Sequence, residues 1–341
     1  ISFKFASPIE EGFDAGELAK RVHFQSSVLP PAPKIPGLKN FRPYAASLVH
    51  SLRPDVVLCS EFNLLTLTLA AACRLFSPKT KLYVLCDDNE QMAEAELHYG
   101  RGLKHRMLSY VEGVILCDSR ACDLYTSRFA TLDRERFIYL PIVQDEKVLR
   151  PLYEQVFGIG RDLRHALIPA GARMMLYVGR LSEEKNLPAL IDNLSTLPDD
   201  VHLVIVGDGP MQSALMNQAQ AAGHPERIIF AGKKEGAELY AYYTQADCLV
   251  LPSMRECFGS VVNEALIAGV PVVCSDIAGA SCLVTESNGR TFSPMLPNAL
   301  SQACNDLLGS IAPFCGDSLR PSLMPFTFER AIAPVLSLLS R

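Results

Sequence analysis

The sequence holds no C-x-x-C pair, no apolar run long enough to cross a membrane, and no excess of basic charge. Each absence removes a class of protein. Without C-x-x-C, the 11 cysteines spell neither a zinc ribbon nor a thioredoxin-like redox site, and an odd count does not close a disulfide framework. A net charge of -5 lacks the footprint of a nucleic-acid-binding domain. No hydrophobic stretch has membrane-spanning length, and no signal-peptide pattern opens the sequence as given. The histidines are scattered without metal-ligand spacing, and no Ser/His/Asp order falls in a motif context, so hydrolase chemistry has no anchor. Internal repeats and low-complexity tracts are also missing.

What is present reads as an ordinary globular chain. Of 341 residues, 49% are hydrophobic and 20% charged, and that length sets an expectation of two domains with sizeable cores. Cys59, Cys86, Cys117, Cys248 and Cys274 sit in or at the ends of apolar runs. They read as reduced, buried small hydrophobes of a cytosolic protein.

Ile1, Phe3 and Phe5 alternate with polar residues, as a strand does. Residues 28–42 are rich in proline and read as a surface loop. A helix is expected over Tyr44 to Leu52, a buried strand at Val56 to Cys59, and a buried helix over Leu64 to Leu75. Leu82 to Cys86 is a strand ending at Asp87-Asp88, and a charged helix covers 90–110. Val114 to Cys117, ending at Asp118-Ser119, and Phe137 to Leu140 are further strands. Residues 145–172 are charged and irregular and read as a linker. Beyond it, the apolar runs Met174–Val178, Val201–Val206, Ile228–Phe230, Cys248–Leu251 and Val272–Cys274 alternate with helical patterns. An amphipathic helix, Phe326 to Leu339, closes the chain. Such alternation specifies parallel sheets flanked by helices, which bind ligands beyond the carboxyl ends of their strands. That rule puts Ser60-Glu61, Asp87-Asp88 and Asp118-Ser119 on one rim.

The chemistry concentrates in the second half. After the strand Cys248–Leu251 come a polar turn with Glu256, then Cys257-Phe258-Gly259-Ser260, then a helical pattern through Val261, Val262, Ala265 and Leu266 that carries Glu264. A strand feeding a glycine turn at a helix start offers free N–H groups to an anion. Gly259 lets a ligand approach the backbone. Carboxylates beside an anion site suit sugar or ribose hydroxyls, which donate to them. Read alone, Glu256 is equally a solvated loop charge and Glu264 a charge near a helix start. Upstream, Gly179-Arg180-Leu181-Ser182-Glu183-Glu184-Lys185 follows the strand Met174–Val178. Arg180 binds a phosphate pair bidentately and Lys185 as a point charge. By themselves they read as two solvated cations beside Glu183 and Glu184.

The stretch from Glu256 to Val273, E-C-F-G-S-V-V-N-E-A-L-I-A-G-V-P-V-V, closely resembles the E-x7-E region of retaining glycosyltransferases of the GT-B fold, family 4 type. G-R-x4-K at 179–185, V-G-D-G-P at 206–210 and the Ala231-Gly232-Lys233 turn match the same family. The first half resembles it more loosely, through R-P-D-V-V and E-G-V-I-L-C-D-S. The resemblance implies two doubly wound, Rossmann-like parallel-sheet domains facing across a cleft. Residues 1–150 would be the acceptor side, with the helix 326–341 packing back on it, and 151–325 the nucleotide-sugar domain. It implies that a further strand and helix, about 30 residues, belong before Ile1. The reaction implied moves a sugar from a nucleoside diphosphate sugar to a hydroxyl acceptor, with retention.

Carried onto this sequence, Gly179, Arg180, Lys185, Phe258, Gly259, Ser260 and Val261 would surround the diphosphate, and Gly232 and Lys233 the nucleobase. Glu256 would orient the sugar and Glu264 the ribose. Where the family usually has a histidine after the strand Leu82–Cys86, this chain has Asp87, which takes a polar role toward sugar or acceptor or serves as a turn carboxylate. A donor-binding protein of the same fold that no longer transfers is the alternative; a nucleotide-sugar epimerase lacks this E-x7-E context. A cytoplasmic location follows, at the membrane surface if the acceptor is lipid-linked. No cofactor is implied. No Asp-x-Asp or histidine cluster lies near the phosphate residues, so transfer should survive chelation. Loss of activity with chelator, restored by magnesium or manganese, would contradict the role given to Arg180 and Lys185.

Overall fold

The computed structural model describes residues 2–5, 25–28 and 41–339. The proline-rich stretch 29–40 lies outside them. The chain divides into two compact units. One comprises Ile1–Asp87, Glu94–Leu116 and Cys122–Ile138; the other comprises Asp88–Ala93, Cys117–Ala121 and Tyr139–Arg341.

In the first unit, β1 (Ser2–Phe5) pairs in parallel with β2 (Gln25–Val28). A four-stranded sheet follows in chain order, β3 (Val56–Ser60), β4 (Lys81–Cys86), β5 (Gly113–Leu116) and β6 (Phe137–Tyr139). Its connecting helices are α2 (Leu64–Phe76), α3 (Glu90–Leu108) and α4 (Ser119–Arg128), with α1 (Tyr44–Leu52) before β3. Asn63 caps α2, its Oδ1 accepting from the Leu65 N–H at 2.8 Å. The β3 and β4 carboxyl ends meet at Glu61, whose Oε1 accepts from the Asp87 N–H at 3.2 Å.

The second unit opens with α5 (Glu146–Leu167), where the sequence reads as a linker. Asp145 caps α5 by accepting from the Lys147 N–H at 2.9 Å. The buried residues Leu149, Tyr153, Val156, Phe157, Gly160 and Arg164 lie on one helical stripe. Pro151 and the two glycines that follow it masked that period. Gly160 is there for packing: a Cβ on it would stand 2.5 Å from the Ala241 carbonyl oxygen of a neighbouring helix.

A six-stranded sheet carries the rest, in the order β12-β11-β10-β7-β8-β9, with every pairing parallel. The strands are β7 (Arg173–Val178), β8 (Val201–Val206), β9 (Ile228–Gly232), β10 (Cys248–Leu251), β11 (Val272–Ser275) and β12 (Gly289–Phe292). The chain runs outward from β7 to β9, then returns to place β10 on the other side of β7. The winding direction therefore reverses between β7 and β10, where open α/β sheets bind ligands. Every residue of β8, β10 and β11 is buried, as strands covered on both faces must be. Met174, Leu176 and Val178 face a core shared with α5, α8 (Gly236–Gln245) and α9 (Ser260–Ile267). Met175 and Tyr177 face the opposite core, with α6 (Leu187–Asn193), α7 (Gln212–Ala221) and α10 (Ala299–Ser310). The final helix, α11, spans Phe328–Leu339.

Cys59, Cys86, Cys117, Cys248 and Cys274 are buried, as expected of strand cysteines. Burial pushes the Cys304 thiol up to about 12. Cys315 is the one fully exposed thiol among the described residues. No described helix is long and apolar enough to cross a membrane.

The amino ends of β7 and β10 hold a buried charge network. Arg164 Nη1 lies 2.8 Å from Asp247 Oδ2, and the guanidinium also donates to the Gln245 and Ala172 carbonyls at 2.5 and 2.6 Å. Asp247 accepts from the main-chain N–H of Met174 at 2.6 Å and from that of Phe314. Arg320 lies 4.2 Å from the Phe314 ring centroid, and burial, together with Arg164, lowers its guanidinium to about 10. Asp247→Ala would leave these guanidinium groups without their carboxylate. It should destabilise the protein by about 3–5 kcal/mol in urea unfolding, whereas Arg180→Ala, on an exposed loop, should change stability by less than about 0.5 kcal/mol.

Candidate functional site

Four loops at the carboxyl ends of β7, β8, β9 and β10 are joined by main-chain hydrogen bonds. The Gly179 N–H donates to Val206 O at 3.0 Å, Leu181 N–H to Asp208 O at 2.7 Å, and Gly207 N–H to Gly232 O at 2.9 Å. The loop after β7 is bound in turn to the loop after β10. Met254 N–H donates to Glu184 O at 2.8 Å, and Asn186 Nδ2 to Pro252 O at 3.2 Å. The winding reversal thus brings G-R-x4-K against the turn that carries Glu256.

Lys185 Nζ donates to Glu256 Oε2 at 2.5 Å, and the two side chains are 18% and 14% exposed. The ion pair spans the reversal point and uses one of three ammonium protons. The Arg180 side chain is exposed, and its guanidinium makes no hydrogen bond or ion pair among the described residues. Tyr177 fixes its main chain, donating to Arg180 O at 3.0 Å. The Glu184 carboxylate is held below its ordinary range, first by the Ser182 hydroxyl at 2.5 Å, with its own main-chain N–H, Lys185 and Arg180 adding.

Gly259 precedes α9 at φ 93°, a conformation that favours glycine. A Cβ there would stand 2.6 Å from Leu251 Cδ2. No side chain caps α9, so its first-turn N–H groups at Ser260 and Val261 stay open for an anion. Phe258 contributes main chain only: its ring is in the core, and its carbonyl accepts from the Ala280 N–H at 2.8 Å. Gly232 ends β9 at φ 71° with open space where a Cβ would project. Lys233 is exposed and paired with Glu235 at 2.8 Å.

Glu264 lies one turn inside α9 and is half-buried. Its Oε1 accepts from Gln144 Nε2 and its Oε2 from Tyr243 Oη, each at 2.7 Å. Burial raises its pKa, and the two donors oppose that shift without cancelling it.

Sequence reasoning missed several contributors. Asn89, fully buried, donates from Nδ2 to Glu256 O at 2.7 Å and to Ile277 O at 3.0 Å, while its Oδ1 accepts from the Met92 N–H. Its place just before a helix was a capping signal; the grip on Glu256 had none. Tyr243 and Gln144 gave no signal either, because a tyrosine on an apolar helix face reads as core. Asp118 is completely buried against Arg120 at 2.9 Å and serves α4 as an anchor. Asp87 is exposed and belongs to the first unit.

The family model described as glycosyl transferases group 1 matches residues 161–310, which hold every element of this site after α5. Residues 161–310 thus carry the sequence pattern of that group. Curated relatives of the group 1 segment include a putative teichuronic acid biosynthesis glycosyltransferase, TuaC, of Bacillus subtilis. It is 36% identical over 136 residues, which are 40% of this chain and 33% of that protein. A GDP-mannose-dependent alpha-mannosyltransferase of Mycolicibacterium smegmatis is 37% identical over 124 residues, 36% of this chain and 30% of that one. The chain thus spans about a third of the length of these relatives. Among solved structures, Anabaena HepE in complex with UDP superposes with a TM-score of 0.69 at 21% identity, covering 86% of this chain and 79% of that one. The lipopolysaccharide outer core galactosyltransferase WaaB gives 0.67 at 16%, covering 90% and 80%. The fold is accordingly that of GT-B glycosyltransferases, with a Rossmann-like parallel sheet in each unit.

The raised Glu264 pKa fixes a sign. The folded protein binds that proton more tightly than the unfolded chain. Stability from this group is therefore greatest below the ordinary carboxylate value of 4.5 and falls as pH rises from there through the raised folded value. Relative to Glu264→Gln, the unaltered protein should lose stability across that interval and no further above it, as read by chemical unfolding at a series of pH values.

Proposed function

We propose that the chain transfers a sugar from a nucleoside diphosphate sugar to a hydroxyl acceptor, with retention at the anomeric carbon. The observation that carries this reading is the junction at the reversal point. There one ion pair and a set of main-chain bonds hold G-R-x4-K against the start of the E-x7-E helix. As the bond from the anomeric carbon to the diphosphate breaks, negative charge grows on the leaving group. Arg180, the free protons of Lys185 and the open N–H groups of α9 are the groups that would receive it, the dominant electrostatic term in such reactions. These groups make a metal unnecessary. Glu256 orients the sugar, and Glu264 accepts ribose hydroxyls. Gly232 and Lys233 face the nucleobase. At the end of β4, Asp87 takes a polar role toward the sugar or the acceptor. Retention is supported by the E-x7-E resemblance, and the acceptor is a glycan, a lipid-linked sugar or a small molecule. A lipid-linked acceptor would hold the protein at the cytoplasmic membrane surface.

The test is incubation with a panel of nucleotide sugars, reading nucleoside diphosphate release together with thermal shift. Release supports transfer. Stabilisation without release supports a donor-binding protein of the same fold, and neither response refutes both. The two carboxylates should separate in kinetics. Glu264→Gln removes an interaction present in ground and transition states alike, so it should raise KM and weaken binding of the bare diphosphate. Glu256→Gln should leave that binding nearly intact and depress kcat. The reverse pattern would overturn the assignment.

A further inference from the structure

The Glu264 carboxylate is held from several sides at the junction of α9, α8 and the loop before α5. Tyr243 Oη, from α8, donates to Oε2 at 2.7 Å, and Gln144 Nε2, from the loop, donates to Oε1 at 2.7 Å. Tyr153 Oη, from α5, donates to the Glu264 carbonyl at 3.0 Å. The donors are themselves fixed. The Tyr243 ring is wholly buried, 6.3 Å from the Tyr153 ring between centroids. The Gln144 main-chain N–H donates to Oδ1 of the fully buried Asn263 at 2.8 Å.

A carboxylate is a costly way to join two helices and a loop. An apolar residue of similar volume commonly does so with equal or better stability. What an ionised carboxylate alone provides is acceptor capacity, about four lone-pair sites on two oxygens. Tyr243 and Gln144 fill one site on each oxygen and thereby fix the plane of the group. The sites left over, again one on each oxygen, match two hydroxyls on neighbouring carbons.

We propose that Tyr243 and Gln144 are positioning residues that lock Glu264 for the two hydroxyls of a ribose, and so set a preference for ribonucleoside over 2′-deoxyribonucleoside diphosphates. This rests on the reading of Glu264 as the ribose-binding carboxylate. Two simultaneous hydrogen bonds require the carboxylate plane to be held, and a carboxylate free to rotate keeps only part of that benefit.

The experiment is calorimetric titration with uridine and guanosine diphosphates and their 2′-deoxy forms, on the unaltered protein, Tyr243→Phe and Gln144→Met. Tyr243→Phe keeps the ring and removes the donor. Gln144 lies in a half-buried loop, so Gln144→Met provides a folded variant if Tyr243→Phe does not fold. The unaltered protein should prefer the ribose form by roughly tenfold. Each variant should weaken the ribose form by about five- to tenfold and the deoxy form by no more than about twofold, so that the preference collapses. An equal loss on both forms would mark a purely structural role and overturn the proposal. An unchanged preference in the folded variants would overturn it while leaving the role of Glu264 intact. If the unaltered protein binds these diphosphates without preferring ribose, or binds none, the ribose reading of Glu264 falls and the positioning proposal with it.

Discussion

Glu256 is a carboxylate with only 14% of its side chain exposed, and such a group needs a cation. Lys185 supplies it from the loop after the neighbouring strand, and that requirement draws the two loops flanking the winding reversal into one body. Once they are joined, Glu184 O can accept from the Met254 N–H and Pro252 O from Asn186. Asn89 holds the other side of the same turn through the Glu256 and Ile277 carbonyls. The start of α9 is therefore fixed before any ligand arrives, and its N–H groups need no reorganisation to meet a charge. Preorganisation of that kind is what electrostatic stabilisation of a leaving group depends on.

The two ends of the β7–β10 pair divide the work. At the amino ends, Arg164, Asp247 and Arg320 are sunk among carbonyls and rings, where their charges hold elements together and touch nothing outside. At the carboxyl ends, the Arg180 guanidinium stays exposed and makes no hydrogen bond or ion pair among the described residues, and Lys185 keeps protons in reserve.

Much of this was legible in the sequence because the signals were local. The strands of the C-terminal sheet stand out as apolar runs, and the glycine before α9 and the spacings G-R-x4-K and E-x7-E lie within short windows. What stayed hidden depends on partners far apart in the chain. Lys185 and Glu256 are 71 residues apart, and Gln144 and Glu264 are 120 apart. No periodicity reveals such pairs. The helix α5 was hidden for a different reason. Its apolar stripe is regular, but Pro151, Gly158 and Gly160 resemble breakers until Gly160 is seen pressed against the Ala241 carbonyl. Phe258 shows the converse: a residue within the motif whose ring serves the core.

The distribution of the cysteines has a practical side. Eight of the 11 thiols are buried, Cys257 and Cys282 are half-buried, and Cys315 stands exposed on the loop after α10. A maleimide dye applied briefly to the folded protein should therefore attach first at Cys315, because the buried thiols are shielded and burial also raises the pKa of Cys248, Cys274 and Cys304, keeping them in the unreactive protonated form. A native chain with one preferred attachment point can carry a fluorophore or a surface tether without any cysteine being removed from its core.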